Sequence, residues 1–170
     1  MAQGSLHTIN VKKLNALILK MDLVKAYDKV SWSFLRLVLF QVGLSYDVVE
    51  WIMGCISFVN FVVLINGKAT RFFKGFKGLR QGCPLSPLLF LLITEGLSRM
   101  ILKEKENGKV EGVKITCDVV VTHLLFVDDV IIFSRGLVEE WSIYKDLISV
   151  FCEAYGMGLV IASLCLFRMR

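Results

Sequence analysis

The sequence predicts an α+β domain built on a mainly antiparallel sheet with packed helices. Three observations lead there. Apolar, β-branched runs and helix-like stretches alternate without the strict rhythm of a parallel βαβ sheet. An Asn66-Gly67 dipeptide between two apolar runs is the turn that type I′ hairpins favour. Two further β-branched runs, Val119–Val127 and Val130–Ser134, meet at the adjacent aspartates Asp128 and Asp129.

Taken in order, Leu14 to Met21 is apolar and reads as a strand that ends at Asp22. Ser31 is a hydroxyl N-cap for a helix over Trp32–Val42, with Gly43 just beyond its end. Asp47 to about Ser57 reads as a second helix. Phe58–Ile65 and Ala69–Lys74 form the hairpin around Asn66-Gly67. A basic, glycine-rich loop, GFKGLRQGCPLSP, follows. Ser86 then predicts a helix cap, with Pro87 at the first helical position, where its missing N–H costs nothing. That helix is expected to reach about Lys105 and stop at Asn107-Gly108, and a last helix covers Val138–Tyr155 and ends at Gly156.

The 170 residues suffice for one domain with a real core. Hydrophobic residues make up 55% of the chain and its mean hydropathy is +0.64, high enough to raise the question of a membrane. The longest apolar runs, Phe58–Ile65, Leu88–Ile93 and Val119–Val127, fall short of the ~18 residues a spanning helix needs. The start, MAQGSLHTINVKK, has no apolar signal-peptide core. The hydrophobicity therefore reads as buried sheet and helix, or else as faces that other segments cover, and the expected location is intracellular. The net charge of +5 gives a mild bias toward polyanions. Five cysteines without a C-x-x-C pair, and two distant histidines, argue against structural zinc and for a reducing compartment.

Charged side chains are almost never buried unless paired or bound to a cation. The Asp128-Asp129 pair, with apolar runs on both sides, can be a hairpin turn, although such turns more often carry Gly or Asn. It can also be a divalent-cation site, and Mg²⁺ is the natural ion for few carboxylates plus substrate phosphates. Asp22, at the end of another apolar strand, is the matching third carboxylate. Asp28 reads as a turn residue before the Ser31-capped helix. In GLRQGCPLSPLLF, Gly78 and Gly82 permit close backbone approach and Arg80 and Gln81 supply donors, a cradle for a phosphate-bearing ligand ahead of a helix N-terminus.

Together these motifs resemble the palm of reverse transcriptases, and most closely the non-LTR, LINE-type retrotransposon group in its plant versions. The resemblance rests on KMDLVKAYDKV at 20–30, GLRQGCPLSPLLF at 78–90 and FVDD at 126–129, in the family's order. It is strong from Leu17 to Arg135 and weaker to Gly158, so 14–158 is expected to be a partial palm-like domain with divergent ends at 1–13 and 159–170. It implies an RNA-directed DNA polymerase acting on an RNA template, a DNA primer and deoxynucleotide triphosphates. Asp22, Asp128 and Asp129 would hold two Mg²⁺ ions, with Mn²⁺ as a substitute. Tyr27 matches the aromatic position beside the incoming sugar, and Gln81 and Gly82, with Arg80 beside them, match the loop on the incoming nucleotide. Lys74, Lys77 and Arg80 become candidates for phosphate contact.

The family also implies fingers before the first motif and a thumb after the palm, so the chain reads as a truncated palm, a polymerase by descent whose formally intact site is expected to be silent in isolation. Its next motif carries an Asn and a Lys-Ser pair; here the sequence is YGMGLVIASLCLFRMR, with neither that Asn nor that Lys. Cys83 stands where many relatives have Asp. A second reading is therefore a non-catalytic nucleic-acid-binding or interaction domain that keeps the fold. A third, a cyclase-like two-metal enzyme, leaves Tyr27 and the Gly78–Pro87 loop unexplained.

Overall fold

The computed structural model describes residues 16–23, 25–116, 119–126, 129–156 and 165–169. In chain order the elements are β1 (Ala16–Asp22), α1 (Ala26–Lys29), α2 (Trp32–Gln41), α3 (Tyr46–Ser57), β2 (Asn60–Phe61), β3 (Leu64–Ile65), β4 (Lys68–Ala69), β5 (Phe73–Lys74), α4 (Leu85–Glu106), β6 (Val113–Lys114), β7 (Val120–Val121), β8 (His123–Phe126), β9 (Asp129–Ser134), α5 (Val138–Tyr155) and β10 (Cys165–Met169). Every strand pair is antiparallel, as the alternation of elements predicts. The chain forms two compact units: Met1–Val24 with Thr94–Glu153 and Gly158–Arg170, and Lys25–Ile93 with Ala154–Met157.

In the first unit the main sheet runs β10-β1-β9-β8. β1 is apolar because it is paired on both edges and buries Ile18, Leu19 and Met21. Opposite it, β9 buries Val130, Ile132 and Phe133. Side chains alternate across the sheet, so Ile18 and Phe133 share the face that carries Asp22 and Asp129. There they form a cluster with Val113, flanked by Val121, Leu124 and Ile131. β6 and β10 carry no distinct sequence signal: β6 has two residues, and β10 lies in the stretch read as a divergent end. The run Val119–Val127 read as one strand is divided into β7 and β8, which belong to different sheets.

The far end of β9 is tied down by Glu140, which is 3% exposed. Its carboxylate accepts the backbone N–H groups of Glu111 (3.0 Å), Gly112 (3.1 Å) and Arg135 (3.2 Å), and the Ser134 hydroxyl. A buried carboxylate needs such a set of donors, since each unmet one costs ~1–3 kcal/mol. Burial pushes the Tyr144 hydroxyl well above its ordinary value, with the Glu140 charge adding to the effect. It donates to the carbonyls of Phe133 and Thr122.

In the second unit the Ser31 side chain accepts the Phe34 N–H at 3.4 Å, the expected cap of α2. An Arg36–Glu50 ion pair links α2 to α3. The predicted hairpin is present but interrupted. β3 and β4 pair around Asn66 and Gly67, both at positive φ, and β2 pairs with β5 further out. Phe58–Ile65 is not buried as its composition suggests. Phe58 is 89% and Leu64 70% exposed, so hydropathy alone misassigns this run to a core.

Two other expectations need correction. α4 begins at Leu85, and Ser86 does not cap it; its hydroxyl donates to the Arg80 carbonyl at 2.7 Å. Pro87 still falls in the first turn, where no intrahelical N–H is lost. α4 is also long and apolar enough to cross a membrane by length and composition. Counting uninterrupted runs overlooks it because Thr94 and Glu95 break the pattern. Its buried residues Leu89, Ile93, Leu97 and Ile101 recur every fourth position, as on a helix packed against a protein core.

The GLRQG loop is docked within the second unit by its backbone. The Gly78 N–H donates to the Val30 carbonyl (2.8 Å) and the Leu79 N–H to the Tyr27 carbonyl (2.6 Å), while Trp32 Nε1–H donates to the Gly78 carbonyl (2.7 Å). Gly78 has φ +90°, and a Cβ there would lie 2.8 Å from the Asp28 carbonyl oxygen. Gly82 has φ +82°, but a Cβ at that position would meet no atom within 4 Å, so it supplies a backbone conformation and not a close approach.

Two measurements follow from these contacts. Gly78→Ala is expected to destabilise the protein by ~2–4 kcal/mol, from left-handed strain plus the clash, against ~1 kcal/mol for Gly82→Ala; urea unfolding of the two variants checks the difference. His123 is wedged between the Thr122 hydroxyl (2.9 Å) and the Ser98 hydroxyl (2.8 Å), and burial holds its pKa below the ordinary 6.5. The unfolded chain therefore takes up a proton first as pH falls. Stability should decline as pH drops through about 6.5, by at most ~1.4 kcal/mol per pH unit, and His123→Gln should flatten that slope.

Candidate active site

The carboxylates lie in the first unit. β1 and β9 pair in a register that sets Asp22 directly opposite Asp129, at the end of both strands. Side chains at such positions have Cβ atoms ~4.5–5.5 Å apart, and like charges there repel. Phe126 of β8 is paired with Asp129, and residues 127 and 128 link the two strands in sequence. Those two residues lie outside the described part of the structure. Among the described residues no group of three or more His, Cys, Asp and Glu side chains is gathered to hold a metal ion. Asp22 and Asp129 are two hard oxygen donors on rigid neighbouring strands, a donor set that fits a hard divalent cation.

A cation already stands there. The Lys20 ammonium lies 2.8 Å from Asp129 Oδ2, with the two side chains 43% and 30% exposed. Lys20 precedes Asp22 by two residues and so shares its face of β1. The alternation rule alone could have picked it out beside Asp22. Glu140, whose hydrogen bonds fix the opposite end of β9, has no comparable signal, because two of its donors, Glu111 and Gly112, are distant in sequence.

Tyr27, Arg80, Gln81 and Gly82 lie in the second unit. Tyr27 is stacked on Phe90, with ring centroids 4.7 Å apart and planes 12° from parallel. Phe90 in turn meets Tyr155 edge to face at 6.5 Å. The Tyr155 hydroxyl donates to the Ala26 carbonyl, and its own carbonyl accepts the Ser31 N–H at 2.9 Å. Tyr27 is thereby held by aromatic packing behind it, while the Leu79 N–H fixes its backbone. Phe90 and Tyr155 are supporting residues that motif spacing does not reveal.

Arg80 and Gln81, with Lys77 and the acidic Asp28, line a cavity of about 510 Å³ whose other walls include Trp32, Ile56 and Phe61. Charged groups of both signs set against apolar walls suit a polar ligand with a flat or apolar part. Tyr27 is not part of that lining, and Gly82 sits on the exposed turn beside it. At Cys83 the Leu85 backbone N–H pulls the thiol below its ordinary pKa. The start of α4 therefore favours an anionic acceptor at that position.

Comparison with known proteins places this geometry. The family described as reverse transcriptase (RNA-dependent DNA polymerase) matches residues 1–161. Over 67 residues the chain is 42% identical to an uncharacterized mitochondrial protein of Arabidopsis thaliana, a match covering 39% of this chain and 55% of that protein. Over 129 residues it is 25% identical to a retrovirus-related Pol polyprotein from the type-1 retrotransposable element R2 of Popillia japonica, covering 74% of this chain and 20% of the polyprotein. Among solved structures, telomerase from Candida albicans in complex with a fragment of telomeric RNA superposes with a TM-score of 0.72 at 13% identity, over 98% of this chain and 29% of that one. Apo telomerase from Candida tropicalis truncated from its C-terminal domain gives 0.69 at 16% identity, over 97% and 33%. The chain thus spans about half of the mitochondrial relative and a third or less of the others. The structural likenesses speak for the fold, and the family match across nearly the whole sequence decides the assignment: the chain belongs to the reverse transcriptase (RNA-dependent DNA polymerase) family.

Proposed function

We propose that residues 14–158 are a LINE-type reverse transcriptase palm, whose chemistry is metal-dependent nucleotidyl transfer to a DNA primer on an RNA template. The observation that carries this is the register placing Asp22 opposite Asp129 at the end of both strands. In this reading Asp22, Asp128 and Asp129 hold two divalent cations, Mg²⁺ or in its place Mn²⁺. When bound, such ions acidify the primer 3′-hydroxyl and stabilise charge on the leaving pyrophosphate.

The rest of the work falls to the protein's own groups. β1 and β9 hold the carboxylates rigid, so little reorganisation is needed as charge develops. Tyr27, braced by Phe90, offers a flat edge against the sugar of a deoxynucleotide triphosphate. Arg80 and Gln81 donate to its phosphates, Gly82 keeps the turn open for its approach, and Lys74 and Lys77 add positive charge for the nucleic-acid backbone.

A second reading has one observation in its favour: the stretch after Tyr155 carries neither the Asn nor the Lys of the family's next motif. A lysine there is the candidate proton donor to pyrophosphate, and without one the fold would bind nucleic acid with little chemistry. Primer extension on an RNA template, with Mg²⁺ or Mn²⁺, separates the two. Catalysis predicts incorporation that falls at least about a hundredfold in Asp128→Ala and in Asp22→Asn. Binding of the primer–template without extension at high protein concentration would establish the non-catalytic reading instead.

A further inference from the structure

We infer that Lys20 is a built-in counter-cation of the carboxylate cluster: it positions Asp129 while no divalent ion is bound, and competes with that ion for the same carboxylate. The inference rests on the reading that Asp22 and Asp129 belong to a divalent-cation site. Three features of the first unit support it. Asp22 and Asp129 are directly opposite on antiparallel strands, where two negative charges destabilise the pair. Lys20 occupies the diagonal position on the same face, within reach of a long side chain, and its ammonium lies 2.8 Å from Asp129. Lys20 is also the one Lys or Arg in β1, β8 and β9.

The surroundings make the contact exchangeable. On this face Ile131 stands opposite Lys20, and Ile18 and Phe133 lie beyond it in the apolar cluster. The other charged or titratable groups of the three strands are Asp22 and His123, and the latter is engaged by Ser98 and Thr122. Both partners remain partly exposed, so the ion pair is weak enough for a divalent cation to displace. Lys20 thus neutralises part of the cluster before the metal arrives, and lowers the metal's affinity by holding one of its ligands.

Mn²⁺ titration of the full chain followed by electron paramagnetic resonance, together with thermal melting in EDTA and in Mn²⁺, tests the competition. Lys20→Met is expected to bind Mn²⁺ about threefold more tightly, while Lys20→Arg stays near the parent value. Lys20→Met should also melt a few degrees lower in EDTA and recover in Mn²⁺, whereas a purely structural loss would lower both melts alike. Lys20→Gln serves in its place if Lys20→Met does not fold. Unchanged or weaker Mn²⁺ binding in Lys20→Met, alongside weakened binding in Asp22→Asn, overturns the role of Lys20 and leaves the metal site standing. Unchanged Mn²⁺ binding in Asp22→Asn overturns the metal site itself, and the role of Lys20 with it.

Discussion

Two carboxylates facing each other across neighbouring strands are the constraint around which the first unit is organised. Left to themselves Asp22 and Asp129 would push β1 and β9 apart at their ends. The strands stay together because the rest of each is committed to burial. Ile18, Leu19 and Met21 on β1 and Val130, Ile132 and Phe133 on β9 are all 5% exposed or less. A slip of one residue would turn these side chains to the opposite faces of the sheet and separate the aspartates. The repulsion at the tip is thus sustained by hydrophobic burial behind it and relieved locally by Lys20.

The same logic holds in the second unit with different materials. Tyr27 and the GLRQG loop are held by backbone hydrogen bonds and ring packing, not by a sheet. Gly78 makes the close approach to Asp28, and Trp32 closes the contact from the other side. Arg80 and Gln81 of this loop line a cavity. A reactive geometry placed on loops needs such anchoring, since loops alone do not hold side chains to fractions of an ångström.

Local chemistry made much of this legible in advance. Ser31 capped its helix, Asn66-Gly67 made its turn, and the apolar runs ending at Asp22 and starting after Asp128 became paired strands, because each depends on neighbours in sequence. What stayed hidden depends on distant groups. Ser86 has the composition of a cap, yet its hydroxyl donates a hydrogen bond to the Arg80 carbonyl instead. Glu140 looks like an ordinary first-turn glutamate until Glu111, Gly112, Ser134 and Arg135 converge on it. Phe58–Ile65 has the composition of a core strand but faces outward, since hydropathy records a preference and not a partner. Asp22, Asp128, Asp129, Arg80, Gln81 and Gly82 stood out by their chemistry, whereas Tyr27 was recognisable only as a member of a family pattern; how Asp22, Asp129 and Tyr27 are held required the fold.

The proposed divalent-cation site rests on the register of β1 and β9. Its most direct measurement is anomalous diffraction from crystals of the protein soaked in Mn²⁺. A Mn²⁺ peak within coordination distance of the Asp22 and Asp128 carboxylates, with Asp129 in the same cluster, is the expected result. A saturating soak that leaves these carboxylates without a peak, or places the ion on other residues, would contradict it.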